Sequence, residues 1–567
     1  MIEGGGQKES FFLLDLDEVY HRIQYFKSRL PRVQIFYAMK ANDFEQILKM
    51  AVYTGLGFDC ASPGEIDKLQ THLYRSIIFA VPTKPAHWMT YARDVGVRHT
   101  TFDTSLLIRI KVEGDSIYKL GDKFGCDFET EAIPLLDEAA ALNIKVVGVA
   151  FHVGSGCSSA DSHIIGLQRA KALFDHEEKA GRKMNIVNIG GGFLSDRRDR
   201  IDQVSTLVND ALKKLFPDPN VQIIAEPGRY ICDSSMDLYS SISNVRTIMK
   251  GEQRVNMIYM NDGFFGSLRF IDPWHTVKRF ETKTDCKGNQ PEATIIWGPS
   301  CDSTDRVMEN LDIKLPPCSP LDWLFFPIRG AYSFGFACDF SCLQKSLIKS
   351  IKGHAVYKSN EFVENPVLSE PLPSTCPPLY HVDWHFNNNT LKKESSEDVA
   401  RAMIEGGGQK ESFFLLDLDE VYHRIQYFKS RLPRVQIFYD YKEIERDKVS
   451  TLVNDALKKL FPDPNIQIIA EPGRYICDSS MDLYSSIINV RRTETDCKGN
   501  QPETTIIWGP SCDSTDRVME NLDIKLPPCS PLDWLVFPLR GAYTFVYACE
   551  FSCLQKSLIR SVISSDL

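Results

Sequence analysis

The string Trp297-Gly298-Pro299-Ser300-Cys301-Asp302 returns a little over two hundred residues later as Trp508-Gly509-Pro510-Ser511-Cys512-Asp513, so part of this chain is present twice. Residues 1–37 reappear unchanged as 403–439, 204–246 return with two substitutions as 449–491, and 284–350 return with a few more as 495–561. The second copy lacks everything equivalent to 41–203 and to 247–283. Any function that needs the whole set of motifs must therefore reside in the first copy, and the second copy cannot rebuild the same core.

The 567 residues exceed what one core usually holds, and 43% apolar with 25% charged residues is ordinary for a globular protein. There is no basic n-region followed by an apolar stretch and a cleavage site, nor an apolar run long enough to cross a bilayer, so a cytoplasmic location is the expectation. None of the 16 cysteines sits in a CxxC or CxxH ligand pair, which predicts reduced thiols and no metal site. A net charge of −10 argues against nucleic acid as a partner.

In the first copy, Ser10–Leu16 reads as a strand, and Asp17–Leu30 as a helix with Val19, Ile23, Phe26 and Leu30 on one face. Short β-branched or aromatic runs then alternate with helical stretches: Val33–Met39, Gly57–Cys60, Ser76–Val81, Val97–Asp103, Leu106–Val112, Ile144–Val153, Met184–Ile189 and Val221–Ala225. About eight such repeats predict a parallel (β/α)8 barrel, here over 10–230, whose N-terminal strand joins a following β domain at 231–352. In that domain Met236–Val245, Arg254–Met260, Thr294–Trp297, Trp323–Phe326 and Gly330–Cys338 read as strands. Residues 353–402, rich in Pro, Ser, Asn and Glu, read as a linker, and 403–567 as the partial duplicate. Only about three residues separate Asp103 from Leu107, whereas a parallel crossover needs a dozen or more, so the barrel is expected to lack about a helix there.

Barrel folds place chemistry at the C-terminal ends of their strands. Lys40 follows an apolar strand, where burial lowers an amine's pKa and makes it a Schiff-base nucleophile, although strand-end lysines also simply reach solvent. His152-Val153-Gly154-Ser155-Gly156 adds an imidazole and a hydroxyl. Gly190, Gly191 and Gly192 can wrap a phosphate with backbone N–H groups, or form a plain turn. Glu226-Pro227-Gly228-Arg229-Tyr230 puts a carboxylate and a guanidinium three positions apart, suited to a ring nitrogen and a phosphate, or simply to a structural Glu–Arg pair at a turn. Amine, imidazole, glycines and acid together are the parts of a pyridoxal phosphate site.

The strings Tyr37–Asp43, Gly57–Ser62, Phe151–Cys157, Gly190–Phe193, Glu226–Tyr230, Trp297–Asp302 and Gly330–Tyr332 closely resemble the eukaryotic ornithine decarboxylase family over about residues 10–350. The resemblance implies the alanine racemase-like fold and a cytoplasmic homodimer with shared sites, making putrescine from ornithine, a small basic amino acid, for polyamine biosynthesis. It implies that Lys40 holds the cofactor covalently, His152 stacks on its ring and Glu226 pairs with the ring nitrogen, with Asp59 and Arg109 nearby. Ser155, Gly190, Gly191, Gly192, Gly228, Arg229 and Tyr332 would hold the phosphate. Cys301 would guide product protonation and Asp302 would bind the distal amine, both supplied across the dimer, while Lys123 and Asp305 resemble an interface pair.

Three departures accompany the resemblance. The short 103–106 junction puts activity and antizyme binding in doubt. Asp272, in a shortened Phe270-Ile271-Asp272-Pro273 string, is only a candidate for the second amine-binding acid. The tail keeps Glu471, Arg474, Cys512, Asp513 and Tyr543 but has no counterpart of Asp59, His152, Ser155 or the triple glycine, and Lys442 falls at the repeat position of Lys40 in a polar setting. The tail is expected to pack poorly and expose apolar surface; the alternative is that it supplies a Cys512-Asp513 loop in cis. A non-enzymatic relative of the antizyme-inhibitor kind is the competing functional expectation.

Overall fold

The computed structural model describes residues 2, 7, 9–70, 76–97, 99–100, 107–112, 114–194, 201–280, 290–338, 340–343, 345–351, 401, 404, 413–431, 435–437, 455, 457–460, 463, 468–470, 481–490, 502–511, 513, 515–520, 522–540, 548–549, 551–554 and 558–562. The junction at 101–106, Lys442, Glu471, Arg474, Cys512 and Tyr543 lie outside the described residues.

After strand β1 (Phe11–Asp15), the Asp15 carboxylate accepts from the amides of Asp17 and Glu18 and caps helix α1 (Leu16–Arg29). Val19, Ile23, Phe26 and Leu30 are all buried, as the spacing predicts. The chain then alternates through β2 (Val33–Ala38), α2 (Glu45–Tyr53), β3 (Gly57–Cys60), α3 (Pro63–Gln70), β4 (Ile77–Phe79), α4 (Ala86–Asp94), β5 (His99–Thr100) and β6 (Leu107–Ile110). It continues with β7 (Ser116–Tyr118), α5 (Ala132–Ala141), β8 (Gly148–Phe151), β9 (Ser155–Cys157), α6 (Asp161–Lys179), β10 (Ile186–Asn188), α7 (Ile201–Leu215), β11 (Gln222–Ala225) and α8 (Arg229–Cys232).

Eight parallel strands run β5-β4-β3-β2-β11-β10-β8-β6, the cyclic order of a (β/α)8 barrel with β5 and β6 at the two ends of the sheet. The two-residue strand period divides their side chains. Phe36, Ile78, Leu107, Ala150, Ile186 and Ile224 form one apolar cluster, while their neighbours Tyr37, Phe79, Ile108, Val149, Val187 and Ile223 belong to the main core. Gly57 is required beside Phe36, because a Cβ there would come within 2.3 Å of the ring.

Beyond the barrel, β12 (Met236–Lys250), β13 (Gln253–Met260), β14 (Lys278–Phe280), β15 (Glu292–Trp297), β16 (Arg306–Val307), β17 (Lys314–Leu315), β18 (Trp323–Phe326) and β19 (Leu347–Ile351) join β1 in a nine-stranded sheet. The strand expected over Gly330–Cys338 is instead a turn followed by a 3-10 helix at Phe334–Phe336. Its apolar, aromatic composition packs against the core without a ladder, since Ile328 and Tyr332 adopt positive φ and break the extended run. Helix α6 and the antiparallel β7/β9 pair were not apparent in the sequence pattern.

The chain divides into two compact units, 1–366 with 504–524 and 549–555, and 367–503 with 525–548 and 556–567. The second unit contains a four-stranded sheet of Trp534–Phe537, Met481–Ser486, Phe413–Asp417 and Leu558–Val562, and a two-stranded parallel remnant, Val435–Ile437 with Ile468–Ala470. Among the described residues no helix is long and apolar enough to cross a membrane.

Candidate active site

The barrel strands deliver their polar residues to one end. Lys40, in the turn after β2, places Nζ 3.2 Å from an Asp59 carboxylate oxygen; the aspartate side chain is 1% exposed and the lysine 19%. The other Asp59 oxygen is buried with no hydrogen-bond partner. Glu226, after β11, accepts a 2.6 Å hydrogen bond from the side-chain Nδ2 of Asn188, whose Oδ1 accepts from the Gly190 amide. Burial, reinforced by the Asp59 charge, raises the Glu226 pKa, with Lys40 and Asn188 opposing.

His152 follows β8, its Nδ1 accepting from the Gly154 amide at 2.9 Å. The ring keeps part of its surface accessible yet lies deep enough that burial, with the Arg109 and Lys40 charges, holds its pKa well below the usual histidine range. A neutral imidazole is therefore what this position offers. His163, on α6, stacks on Phe193 with centroids 4.9 Å apart, faces the Gly191 carbonyl at 3.3 Å, and is pushed down to about 4 by burial.

The three glycines make a cradle that side chains would fill. A Cβ on Gly190 would lie 2.4 Å from the Phe151 carbonyl and one on Gly192 2.5 Å from Val153, and both residues have positive φ, 64° and 94°. Arg229 is buried nearby, its Nε 3.2 Å from the Ser155 hydroxyl and its guanidinium 4.8 Å from the Tyr332 ring. Tyr332 adopts φ 58°, with its amide donating to the Ala41 carbonyl. This strain in a non-glycine residue ties the ring to the Lys40 turn. A phosphate would fit this cradle of backbone, hydroxyl and buried cation, and the unpartnered Asp59 oxygen and raised Glu226 suit the polar edge of a pyridine.

Arg229 Nη1 also donates to Asp272 at 2.8 Å, and both side chains are almost fully buried. Behind this pair, His275 Nδ1 accepts from the Asp272 amide and from Arg329 Nη1, each at 2.8 Å. Arg329 further donates to the Ser267 and Phe270 carbonyls. Arg109 lies on β6 with its guanidinium 5.1 Å from the Phe124 ring. Gly228 packs against Ala41, where a Cβ would sit 2.8 Å away.

Lys40, Asp59, Ser155, the glycines, Glu226, Arg229, Tyr332 and Asp272 are thus brought together. Cys301 is exposed, and the Asp302 carboxylate accepts from the Thr304 amide and hydroxyl within its own loop. Asn188, His163, Tyr118 and the His275–Arg329 pair were missed by sequence reasoning. Asn188, an amide in an apolar strand just before the glycines, was the one visible signal.

Models of two families match: pyridoxal-dependent decarboxylase, pyridoxal binding domain, over residues 16–233, and pyridoxal-dependent decarboxylase, C-terminal sheet domain, over 229–330 and 473–541. The chain is 32% identical over 423 residues to ornithine decarboxylase of Mus pahari, covering 68% of this chain and 91% of the relative. It is 31% identical over 412 residues to antizyme inhibitor 2 of Xenopus laevis, covering 67% and 90%. Among solved structures, arginine decarboxylase of Paramecium bursaria Chlorella virus bound to agmatine superposes with a TM-score of 0.57 at 28% identity, covering 62% of this chain and 97% of that one.

Proposed function

The chain belongs to the pyridoxal-dependent decarboxylases, and from that membership we propose that it converts L-ornithine to putrescine, in the cytosol, for polyamine biosynthesis. Its cofactor is pyridoxal phosphate. The observation that carries the reading is the meeting of Lys40, Asp59 and Glu226 at the mouth of the barrel beside the glycine cradle and a buried Arg229.

Lys40 would hold the cofactor through Nζ, Glu226 its ring nitrogen, and Ser155, Gly190–Gly192, Gly228, Arg229 and Tyr332 its phosphate. Bound there, pyridoxal phosphate supplies the electron sink for the pair left when the carboxyl group departs. Glu226, with its raised pKa, shares a proton with a ring nitrogen at neutral pH more readily than an ordinary carboxylate does. His152, kept neutral, presents a flat uncharged face and adds no second positive charge beside Lys40. Asp272, held against Arg229, is the candidate acid for the far end of a basic side chain, and similarity to ornithine decarboxylase favours ornithine among the basic amino acids.

Similarity to antizyme inhibitor 2 and the engagement of Arg229 by Asp272 support a second reading, a regulatory relative without turnover. One assay separates the two. Purified full-length protein with added pyridoxal phosphate should release labelled carbon dioxide from carboxyl-labelled ornithine, and K40A should release none. No release from soluble wild-type protein that holds the cofactor would sink the enzymatic reading.

A further inference from the structure

The second copy's loop that begins Trp508-Gly509-Pro510-Ser511 lies in the same compact unit as the barrel. Lys123, whose side chain is 3% exposed, donates to the Ser511 carbonyl at 2.6 Å and the Asp513 carbonyl at 3.1 Å. The same ammonium stands 3.5 Å from an Asp516 carboxylate oxygen and 5.5 Å from the Trp508 ring. Asp516 in turn accepts from the Ser511 amide, so loop and lysine are locked by one carboxylate. The Asp513 carboxylate accepts from the Thr515 amide and hydroxyl, and Tyr118, which pairs with Ser155 across β7 and β9, has its pKa raised by burial and by the Asp272 and Asp513 charges.

A second piece of the tail reaches the same rim. Phe551 is buried and stacks on Phe336 with centroids 4.1 Å apart, and Phe336 adjoins Tyr332. The Ser62 hydroxyl donates to the Ser552 carbonyl at 2.5 Å, and Cys553 meets both Asp43 and the N-terminal turn of α3 at Gly64. Asp43 and Ser62 follow β2 and β3, the strands that carry Lys40 and Asp59. Cys338 forms an isolated antiparallel bridge with Cys549, its own duplicate. A residue that meets its own copy marks the axis of an isologous, two-fold contact, here between the two copies within one chain.

We infer, building on the decarboxylase reading, that the second copy closes the active site in cis: Trp508–Ser511 with Asp513 and the 551–554 turn form its second wall, and Asp513 is presented to the cationic end of the substrate. The first-copy loop at Cys301-Asp302 has no equivalent seat, because the second copy contains no counterpart of Lys123 or of the rest of 41–203. Each chain then holds one complete site, and no second chain is needed to finish it.

Two measurements test this. Treating the native full-length protein with a zero-length carbodiimide should couple Lys123 to the tail, and digestion with trypsin identifies the acceptor. The fragment 499–517 carries Thr504 where its first-copy twin 288–306 carries Ala293, so their masses differ. The expected link joins Lys123 to the Thr504 fragment in material sedimenting as one 64.4 kDa chain. A link to the Ala293 fragment, a link confined to a two-chain species, or no link overturns the inference, whether or not the protein turns over ornithine. In the active protein, D513A should lower kcat/KM on the order of 100-fold, more than D302A does, as expected for losing a charge-assisted hydrogen bond. Mixing K40A with D513A chains should restore nothing, since neither has a complete site; recovered activity would mean that sites are shared between chains and would overturn closure in cis.

Discussion

Trp323–Phe326 and Trp534–Phe537 differ by one residue in four, yet Leu324 and Phe326 are essentially inaccessible whereas Leu535 and Phe537 are only half-buried and Val536 is 50% exposed. Pairing is not what separates them. In the first copy Phe11 faces Tyr239 and Leu347, and Leu238 faces Phe326; in the second, Phe413 faces Tyr484 and Leu558, and Leu483 faces Phe537. The register is identical although each segment was carried over with a different spacing. What differs is cover. In the first copy β18 also pairs with β14, and Phe280 of that strand packs edge-on against Tyr239, whereas the second copy lacks the equivalent of 247–283 and of barrel helices α2 to α6. Hydrogen-bonded ladders need only local sequence, whereas burial needs the rest of the fold.

The sharpest way to break this comparison is to delete the same side chain from both copies. L324A removes a fully buried leucine and should cost about 2–5 kcal/mol, while L535A, at a half-buried site, should cost about 1 kcal/mol or less. Hydrogen exchange read by mass spectrometry distinguishes the strands, because Phe325 is Val536 in the second copy. In the unaltered protein the 534–537 amides should already exchange faster than those of 323–326. Equal protection, or equal losses on truncation, would show that the second unit has a core of its own.

Much of the fold and site was legible for the same reason that the copies pair alike. The eight strands announced themselves by β-branched runs at regular spacing, and Lys40, Glu226 and the glycines stand at strand ends where the backbone alone fixes their position. Gly330–Cys338 was misread because its apolar residues serve packing around Phe336 rather than a ladder, a distinction that composition does not carry. His163 and Arg329 were invisible because their significance lies in long-range partners, the Gly191 carbonyl and His275, many residues away in sequence. The tail's division was hidden too: its strands at 413–417 and 481–486 and its 508–511 segment are all exact copies, yet they fall in different compact units.

A gentler probe uses a carboxylate that only the first copy possesses. Glu65, in α3, is fully buried; it accepts from the Ala61 amide at 2.6 Å, and burial raises its pKa to about 8, with the Asp59 charge adding and Lys40 opposing. In the unfolded chain it titrates near 4.5. Between those values the folded form binds the proton that the unfolded form has released, so the stabilising contribution is complete below about pH 4.5 and is lost as pH rises through 8. E65Q keeps the hydrogen-bond acceptor and removes the titration, so it should flatten the decline in stability of the barrel unit over that window and raise stability at pH 8 by about 1–3 kcal/mol. Exchange protection in the 413–417 and 481–486 strands should not follow, because 41–203 has no duplicate there. If E65Q leaves the barrel's pH slope intact, the proton resides elsewhere in the Asp59–Lys40–Glu226 cluster. A slope that changes equally in both units would show that they unfold as one, and that the second copy's exposed strands borrow their stability from the first.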